Sequence, residues 1–547
     1  MSQNYKPNQS IKDNKHNHTD FKSVIDALNY WSVTTPDNDL ITYIDNNHTP
    51  YTLTYKEFRQ RVESLSIFLK ETHNLKNGDR IAVIGNSSLD VVLFYFAIIR
   101  QGCILVPIDP KVSSQQQKFI IESTQCSLIV SESSVSDILN KINIKFQKLN
   151  CINNLKIYEK NIIDLPTEFD ENQPAIILST SGTTSEPKLP CLSHGNLMSN
   201  SKSLKVIHNA NNRTISMCVL PIFHANAFCF SLVGTIYWGG KVVLTNGLLG
   251  LSTGSIANEY KVHIISLVPS LIRVLLTQRF SAENIPSLKY ITSAAAPLPQ
   301  KLAVEFFSKT RLRIHQGWGL TECTNFATKI PWHLTDKEYE EAMHDNDFCS
   351  IGCPTSDCSV EVIDVNTGEN LNEGEVGELI VQGKNLMLGY WNRDDLTLEV
   401  LTKKGLKTGD LGYWRYIANS KMYFICGRLK EIIIRNGENI SPIAVENELL
   451  NLSPKFEMAV IGFNNNYVGE EVGLYINVGR HKLDKAQILN MLDQVTEFQR
   501  PRCILLGKTA IPRTSTGKIQ RKKLTYLFDN HKDKLLNSRN PMIIELE

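Results

Sequence analysis

The sequence predicts an α/β protein, with a large amino-terminal part built on parallel sheets and a smaller α+β part after it. From about residue 22, short apolar runs alternate with amphipathic segments, the rhythm that lays helices on the faces of parallel strands. Near Gly427 that rhythm gives way to shorter strand-like runs and a single helix, spread over a length typical of one compact domain. The composition, 42% hydrophobic and 21% charged over 547 residues, provides for a sizeable core.

In chain order, residues 1–20 are rich in Asn, Lys and His and read as a disordered tail. Arg80-Ile-Ala-Val-Ile-Gly85 reads as a buried strand, Leu89 to Arg100 as a helix and Cys103-Ile-Leu-Val-Pro-Ile108 as the next strand. The pattern recurs at Ser127-Leu-Ile-Val130 and His263-Ile-Ile-Ser-Leu-Val268. In such sheets ligands gather at the carboxyl ends of the strands. After Gly427, strands are expected at Ile432–Ile434, Met458–Gly462 and Val472–Val478, with a helix at Lys485–Glu497.

Charge and cysteine content narrow the function classes. Lys plus Arg is 58 against 56 Asp plus Glu, a formal charge of +2, so neither nucleic acid nor an anionic membrane is expected as the main partner. Residues 427–547 hold 18 basic and 14 acidic residues, a mild excess that permits docking of an acidic partner without demanding it. The twelve cysteines contain no C-x-x-C, and Cys349, Cys353 and Cys358 lack a fourth ligand at zinc spacing. Scattered reduced thiols follow. With no apolar leader in the first 20 residues and no apolar run long enough to span a bilayer, a cytoplasmic location is expected.

Four polar motifs carry chemistry. The run Ala175-Ile-Ile-Leu178 leads into Ser179-Thr-Ser-Gly-Thr-Thr-Ser-Glu-Pro-Lys188, whose N–H groups and hydroxyls are suited to phosphate oxygens. It is not the G-x-x-x-x-G-K loop, and alone it equally fits a polar surface turn. In Gln316-Gly-Trp-Gly-Leu-Thr-Glu322, Gly317 and Gly319 permit close backbone approach, Trp318 offers a flat face and Glu322 suits a hard cation such as Mg²⁺. Alone it also fits a glycine-rich turn beside a core tryptophan. Thr408-Gly-Asp410 and Arg428 have groups able to clasp ribose hydroxyls, and Ile511-Pro-Arg-Thr-Ser-Thr-Gly-Lys518 is a basic segment.

Taken in this order, the motifs resemble those of the adenylate-forming superfamily: acyl-CoA synthetases, stand-alone adenylation enzymes and beetle luciferases. The likeness runs from about residue 22 to 526 and includes Leu220-Pro-Ile-Phe-His224, Ser293-Ala-Ala-Ala-Pro-Leu-Pro299, Gly374-Glu-Val-Gly-Glu-Leu379 and Ile433-Ile-Arg-Asn-Gly-Glu-Asn-Ile-Ser-Pro442. The last is closest to the acyl-CoA synthetase pattern. The resemblance implies a large domain of layered α/β subdomains (21–426), a hinge (427–431) at Lys430, a small mobile α+β domain (432–530) and a tail (531–547), with the active site between the domains.

By the same resemblance, a carboxylic acid attacks MgATP to form acyl-AMP, and a thiol then displaces AMP. Thr180, Ser181, Gly182, Thr183, Thr184 and Lys188 would cover the β- and γ-phosphates. Gln316, Gly317 and Trp318 would border the nucleotide, with Trp318, where the family commonly has Tyr, stacking on adenine. Thr321 would meet the α-phosphate, Glu322 the Mg²⁺, and Asp410 and Arg428 the ribose. Lys518 would bridge carboxylate and α-phosphate, and His224 would orient the carboxylate. After the domain swings at Lys430, Gly437 would flank pantetheine.

The acyl pocket would include His224, Asn226, Ser293, Ala294, Ala295 and Gly317. No aspartate stands near Phe223–Asn226 to pair with an amine, so a neutral aliphatic or aromatic acid is expected over an amino acid. The thiol would be CoA, as in an acyl-CoA synthetase, or that of a separate acyl carrier protein. A non-catalytic nucleotide-binding homologue is the reading from another class. Three departures stand out: Ser185 and Leu189 replace glycines of the phosphate loop, and Ala444 replaces a glutamate. Residues 322–350 form an unusually long connection containing Asp336-Lys-Glu-Tyr-Glu-Glu341, read as a solvated surface helix.

Overall fold

The computed structural model describes residues 20–131, 145–148, 165–180, 186–248, 252–278, 280–452, 456–479, 483–514, 517–538 and 540–546. The tail reading of residues 1–20 therefore falls almost wholly outside the described residues. Among the described residues the strands form four sheets. The nine-stranded sheet has the spatial order Cys353–Pro354, Thr328–Lys329, Ile314–Trp318, Tyr290–Ser293, Ile264–Leu267, Ile215–Cys218, Lys241–Thr245, Asp39–Ile44, Pro50–Thr54. From Ile314–Trp318 through Asp39–Ile44 every pairing is parallel. The seven-stranded sheet runs Gly389–Tyr390, Pro190–Ser193, Pro174–Ile177, Ile104–Ile108, Arg80–Ile84, Leu128–Ser131, Lys145–Lys148.

Helices Val24–Thr34, Tyr55–His73 and Leu89–Arg100 share one apolar core with both of these sheets. The Leu89–Arg100 helix starts where the Ser88 hydroxyl accepts the Val91 N–H, and every residue from Val91 to Ile99 is buried. Its hydrophobicity all round is that of a core helix. Among the described residues no helix is long and apolar enough to cross a membrane. Nor is any described cysteine bridged, and among the described residues no cluster of three or more His, Cys, Asp or Glu is placed to hold a metal.

The five-stranded sheet is antiparallel, its longest members Gly405–Ile417 and Ser420–Arg428 forming a hairpin. That hairpin leads through a tight turn, Leu429–Glu431, to the carboxy-terminal domain. There a six-stranded sheet has two apolar cores of its own, both drawn from residues beyond 432. Large and small α/β and α+β domains thus follow one another as expected from the sequence. Arg521 ties the turn to this domain, donating to Glu431 (2.8 Å), Glu446 (2.6 Å) and the Val460 carbonyl (3.0 Å). Glu446 keeps its partners, while Ala444, the departure beside it, sits in the first turn of the Pro442–Leu452 helix with its N–H on Ser441 Oγ.

Three expectations are corrected. The helix expected over 485–497 stops at Leu492, because the Arg500 guanidinium takes the carbonyls of Asp493 (2.8 Å) and Val495 (2.8 Å) beyond its end. The stretch expected as a tail from 531 contains the strand Met542–Glu545, paired in parallel with Cys503–Gly507, with Met542 and Ile544 packed on the core. The helix Asp336–Met343 is solvated on one face only: Tyr339, Ala342 and Met343 are buried, and the Tyr339 hydroxyl bridges the Ile314 N–H and carbonyl.

Candidate active site

The hairpin of the five-stranded sheet sets Asp410 opposite Arg428, so two residues 18 apart in sequence become direct cross-strand partners. Arg428 Nε donates to Asp410 Oδ1 at 2.5 Å, and the Trp318 indole N–H donates to Oδ2 at 2.8 Å. Asp410 is 3% exposed and Trp318 is also buried, so the carboxylate is locked from two sides. The nearby negative charge holds Arg428 above its usual pKa. Trp318 was expected only as a flat face for a base; its bond to Asp410 adds a polar role.

The phosphate-loop motif leaves the carboxyl end of the strand Pro174–Ile177 and returns along Pro190–Ser193. Its ends meet where the Thr180 N–H and hydroxyl reach the Lys188 carbonyl at 3.0 and 3.4 Å. Ser181, Gly182, Thr183, Thr184 and Ser185 lie outside the described residues. Leu189, in place of a glycine, is buried in a core with Ile177 and Cys191. Its carbonyl accepts the Trp391 N–H. Lys188 Nζ sits 4.7 Å from the Tyr390 ring centroid and 3.5 Å from its hydroxyl, which donates to Glu322 Oε1 at 2.8 Å. Burial and Glu322 raise the Tyr390 pKa, so the phenol keeps its proton.

Tyr390 joins the lysine of one motif to the glutamate of another, and it belongs to none of the four polar motifs itself. Its place depends on a two-residue strand, Gly389–Tyr390, pairing with Cys191 and Pro190 some 200 residues earlier in the chain. No local spacing signals such a pairing.

Both glycines of the Gln316–Glu322 motif are required by close packing. A Cβ on Gly317 would lie 2.4 Å from the Phe326 ring, and one on Gly319 would lie 1.7 Å from the Asn325 carbonyl oxygen. Thr321 and Glu322 then stand on a 3-10 turn, Thr321–Cys323, that ends at Thr324 with φ +67°. A β-branched residue with positive φ is strained, and here the Thr324 hydroxyl is held by the Asn385 carbonyl at 2.7 Å. Ala295, at the end of the neighbouring strand, also has positive φ.

Lys518 comes into this site from the carboxy-terminal domain. Burial and then Arg428 press its pKa below the usual lysine range, while Asp410, Glu322 and Glu431 act in the opposite direction. His224 is pushed down to about 4 by burial and by the charge of Lys518. Its imidazole is therefore neutral near pH 7. The same turn meets the large domain at Gly517, where an added Cβ would lie 3.4 Å from Ser270 Oγ. The structure thus brings Lys518, His224, Glu322, Asp410 and Arg428 within electrostatic reach of one another.

Among the remaining candidates, Asn226 opens a π-helix, Asn226–Gly234, and accepts the Ser266 hydroxyl at 2.8 Å, while its amide nitrogen is buried without a partner. Gln316 Oε1 and Ser293 Oγ are likewise buried and unpartnered, and Ala294 is buried. Lys430 is exposed on the turn Leu429–Glu431. Gly437 is exposed in the turn between Ile433–Arg435 and Glu438–Ile440, where the neighbouring Asn436 N–H donates to the Val468 carbonyl and the Ile434 N–H to Glu470. Lys329, outside every motif, is fully buried behind Phe326, donating to Thr292 Oγ1 (3.2 Å) and the His315 carbonyl (3.0 Å). Burial holds its pKa well below normal.

A large domain on parallel sheets followed by a small carboxy-terminal domain is the fold that comparison with solved structures also gives. An ATP-bound MatB from Rhodopseudomonas palustris superposes with a TM-score of 0.80 at 24% identity, covering 92% of this chain and 100% of the other. A 4-coumarate–CoA ligase-like 9 of Arabidopsis thaliana is 27% identical over 91% of this chain and 89% of its own. A probable 4-coumarate–CoA ligase 2 of Dictyostelium discoideum is 32% identical over 68% of this chain and 66% of its own. The model of the AMP-binding enzyme family matches residues 29–391. The chain belongs to that family and is an enzyme of the acid–thiol ligase type.

Proposed function

We propose that the protein activates a neutral aliphatic or aromatic carboxylic acid with MgATP and passes the acyl group to CoA. In the first step a carboxylate oxygen attacks the α-phosphorus and the bond to the β-phosphate breaks, giving acyl-AMP and pyrophosphate. In the second, a thiolate attacks the acyl carbon, the bond to the phosphate oxygen breaks, and AMP leaves. The observation that carries this reading is Lys518, a half-buried ammonium from the small domain set among Asp410, Arg428, Glu322 and His224.

Charge accumulates on the attacking and phosphoryl oxygens as the first step proceeds, and a fixed cation stabilises that state more than the ground state. His224, neutral near pH 7, orients the acid without competing for its charge. Thr180 and Lys188 hold the phosphate end, with Thr321 at the α-phosphate and Gln316 and Gly317 along the nucleotide. Asp410 and Arg428 hold the ribose. Glu322 is a single carboxylate, anchored by Tyr390 and suited to a Mg²⁺ that shares its shell with phosphates. When bound, the ion neutralises phosphate charge. Thioester formation follows a swing about Lys430 that brings Gly437 toward the thiol.

A neutral tail is supported by the residues around Gly317: Phe326 packs on it, Ala225 and Ala227 flank Asn226 in sequence, and burial favours the neutral amine of Lys329. The test is acid-dependent pyrophosphate release across aliphatic, aromatic and amino acids, with and without CoA. Release on neutral acids, with acyl-CoA formed when CoA is present, is expected. Acyl-AMP without a CoA product would instead assign the thiol to a carrier protein. Lys518→Ala should lower pyrophosphate release by on the order of 10²–10³ while ready-made acyl-AMP is still converted to thioester.

A further inference from the structure

At the opposite ends of the same strands lies an open cleft of about 500 Å³. The candidate active site follows the carboxyl ends of Tyr290–Ser293 and Ile314–Trp318; this cleft is lined by residues at and before their amino ends. Lys289 and Arg311 stand exposed on its rim and make no ion pair among the described residues. Arg313, also lining the cleft, is held by Asp336 and by the Leu334 carbonyl. Deeper in, the Tyr290 ring stacks on His315 with centroids 4.1 Å apart, and its hydroxyl bonds His208 Nδ1 at 2.7 Å.

Two ring nitrogens of this lining are buried and unsatisfied, His208 Nε2 and His315 Nδ1, in residues only 1% and 2% exposed. Both nitrogens are closed off beneath the lining, so contacts to an occupant of the cleft fall to the exposed groups of its rim. Burial holds both imidazoles well below their usual pKa, so each is neutral and carries one N–H. Trp332 adds a large indole left 46% exposed at the same opening. Three cations against one carboxylate select an anion, guanidinium and ammonium groups being the usual phosphate partners. The indole selects a flat ring.

We propose that this cleft is a second ligand site, taking a nucleoside monophosphate or a similarly sized aromatic phosphate, with the phosphate on Lys289 and Arg311 and the ring on Trp332. The test is calorimetric titration of the full-length chain bearing Asp410→Ala, which disables the ribose clasp of the candidate active site, with AMP, adenosine and inorganic phosphate. One saturable AMP site is expected, with adenosine and phosphate each binding more weakly. Adding Lys289→Glu and Arg311→Glu should weaken AMP by roughly a hundredfold, about tenfold per charged contact.

If Asp410→Ala fails to fold, the unsubstituted chain should bind two AMP and the rim double variant one. That double variant keeps pyrophosphate release unchanged, because neither residue faces the candidate active site. Absence of AMP binding at millimolar concentration, indifference to the rim substitutions, or phosphate binding as tightly as AMP would each overturn the proposal.

Discussion

Asp410 is a carboxylate shared by an indole and a guanidinium, and the two donors differ in how visible they are. Arg428 reaches it through strand pairing 18 residues away, and the paired motifs made that partner legible in the sequence. Trp318 lies 92 residues away on another sheet, and nothing in its own motif announces the contact. Leu189 is similar: as a substitution for glycine it looks like damage to a loop, and only the packing against Ile177 and Cys191 shows it to be a core residue. A hydrogen bond to a charged group is worth about 1.5–3 kcal/mol. Trp318→Phe keeps a flat ring but removes the N–H, so the KM for ATP should rise about tenfold or more, with kcat changing far less. Initial rates of pyrophosphate release against ATP concentration check this, and an unchanged KM would remove the indole from ribose binding.

At the scale of elements, the long apolar helix Leu89–Arg100 and the strands around it were legible because their burial is written into continuous runs of hydrophobic residues. Ends were less so. The helix at Lys485 stops short because Arg500 folds back on it, and the strand Met542–Glu545 is recognisable only beside Cys503–Gly507. The loop from Gly317 to Phe326 combines both cases: its glycines stood out, but the reason for them is the return of Asn325 and Phe326 over the same backbone. Gly319→Ala places a methyl inside contact distance of the Asn325 carbonyl, which the loop must yield to accommodate. Overpacking of this kind costs about 1–3 kcal/mol. A lowered thermal midpoint and weaker ATP binding are expected together, since Thr321 and Glu322 ride on the displaced turn. A variant with native stability and native ATP affinity would contradict that coupling.

For the whole molecule, pH and domain motion give separate tests. His194 and His224 are each pushed down to about 4 from an ordinary 6.5 by burial. Below pH 6.5 the unfolded chain takes up protons there that the folded chain refuses, so stability is fully present above 6.5 and falls as pH drops toward 4. Unfolding midpoints measured between pH 4 and 7 should decline over that window, and His224→Phe should flatten part of the decline. Domain motion is tested at the turn Leu429–Glu431. Under the proposed mechanism Lys518, within electrostatic reach of Asp410, serves the first step, and Gly437, exposed in the turn between Ile433–Arg435 and Glu438–Ile440, serves the second. On that mechanism one rigid arrangement would serve adenylation and leave the second step without the Gly437 segment. Lys430 is exposed, and its role under the proposed mechanism lies in its backbone angles, not in a side-chain contact. Proline there fixes φ near −65° and restricts the preceding residue. Lys430→Pro should keep pyrophosphate release within about threefold while thioester formation from ready-made acyl-AMP falls by at least tenfold, the size of effect expected when a gating step is blocked and not the chemistry. The two half-reactions, assayed separately on one preparation, decide it: equal loss of both would mean that the turn only holds the domains together, and unimpaired thioester formation would place the pivot elsewhere.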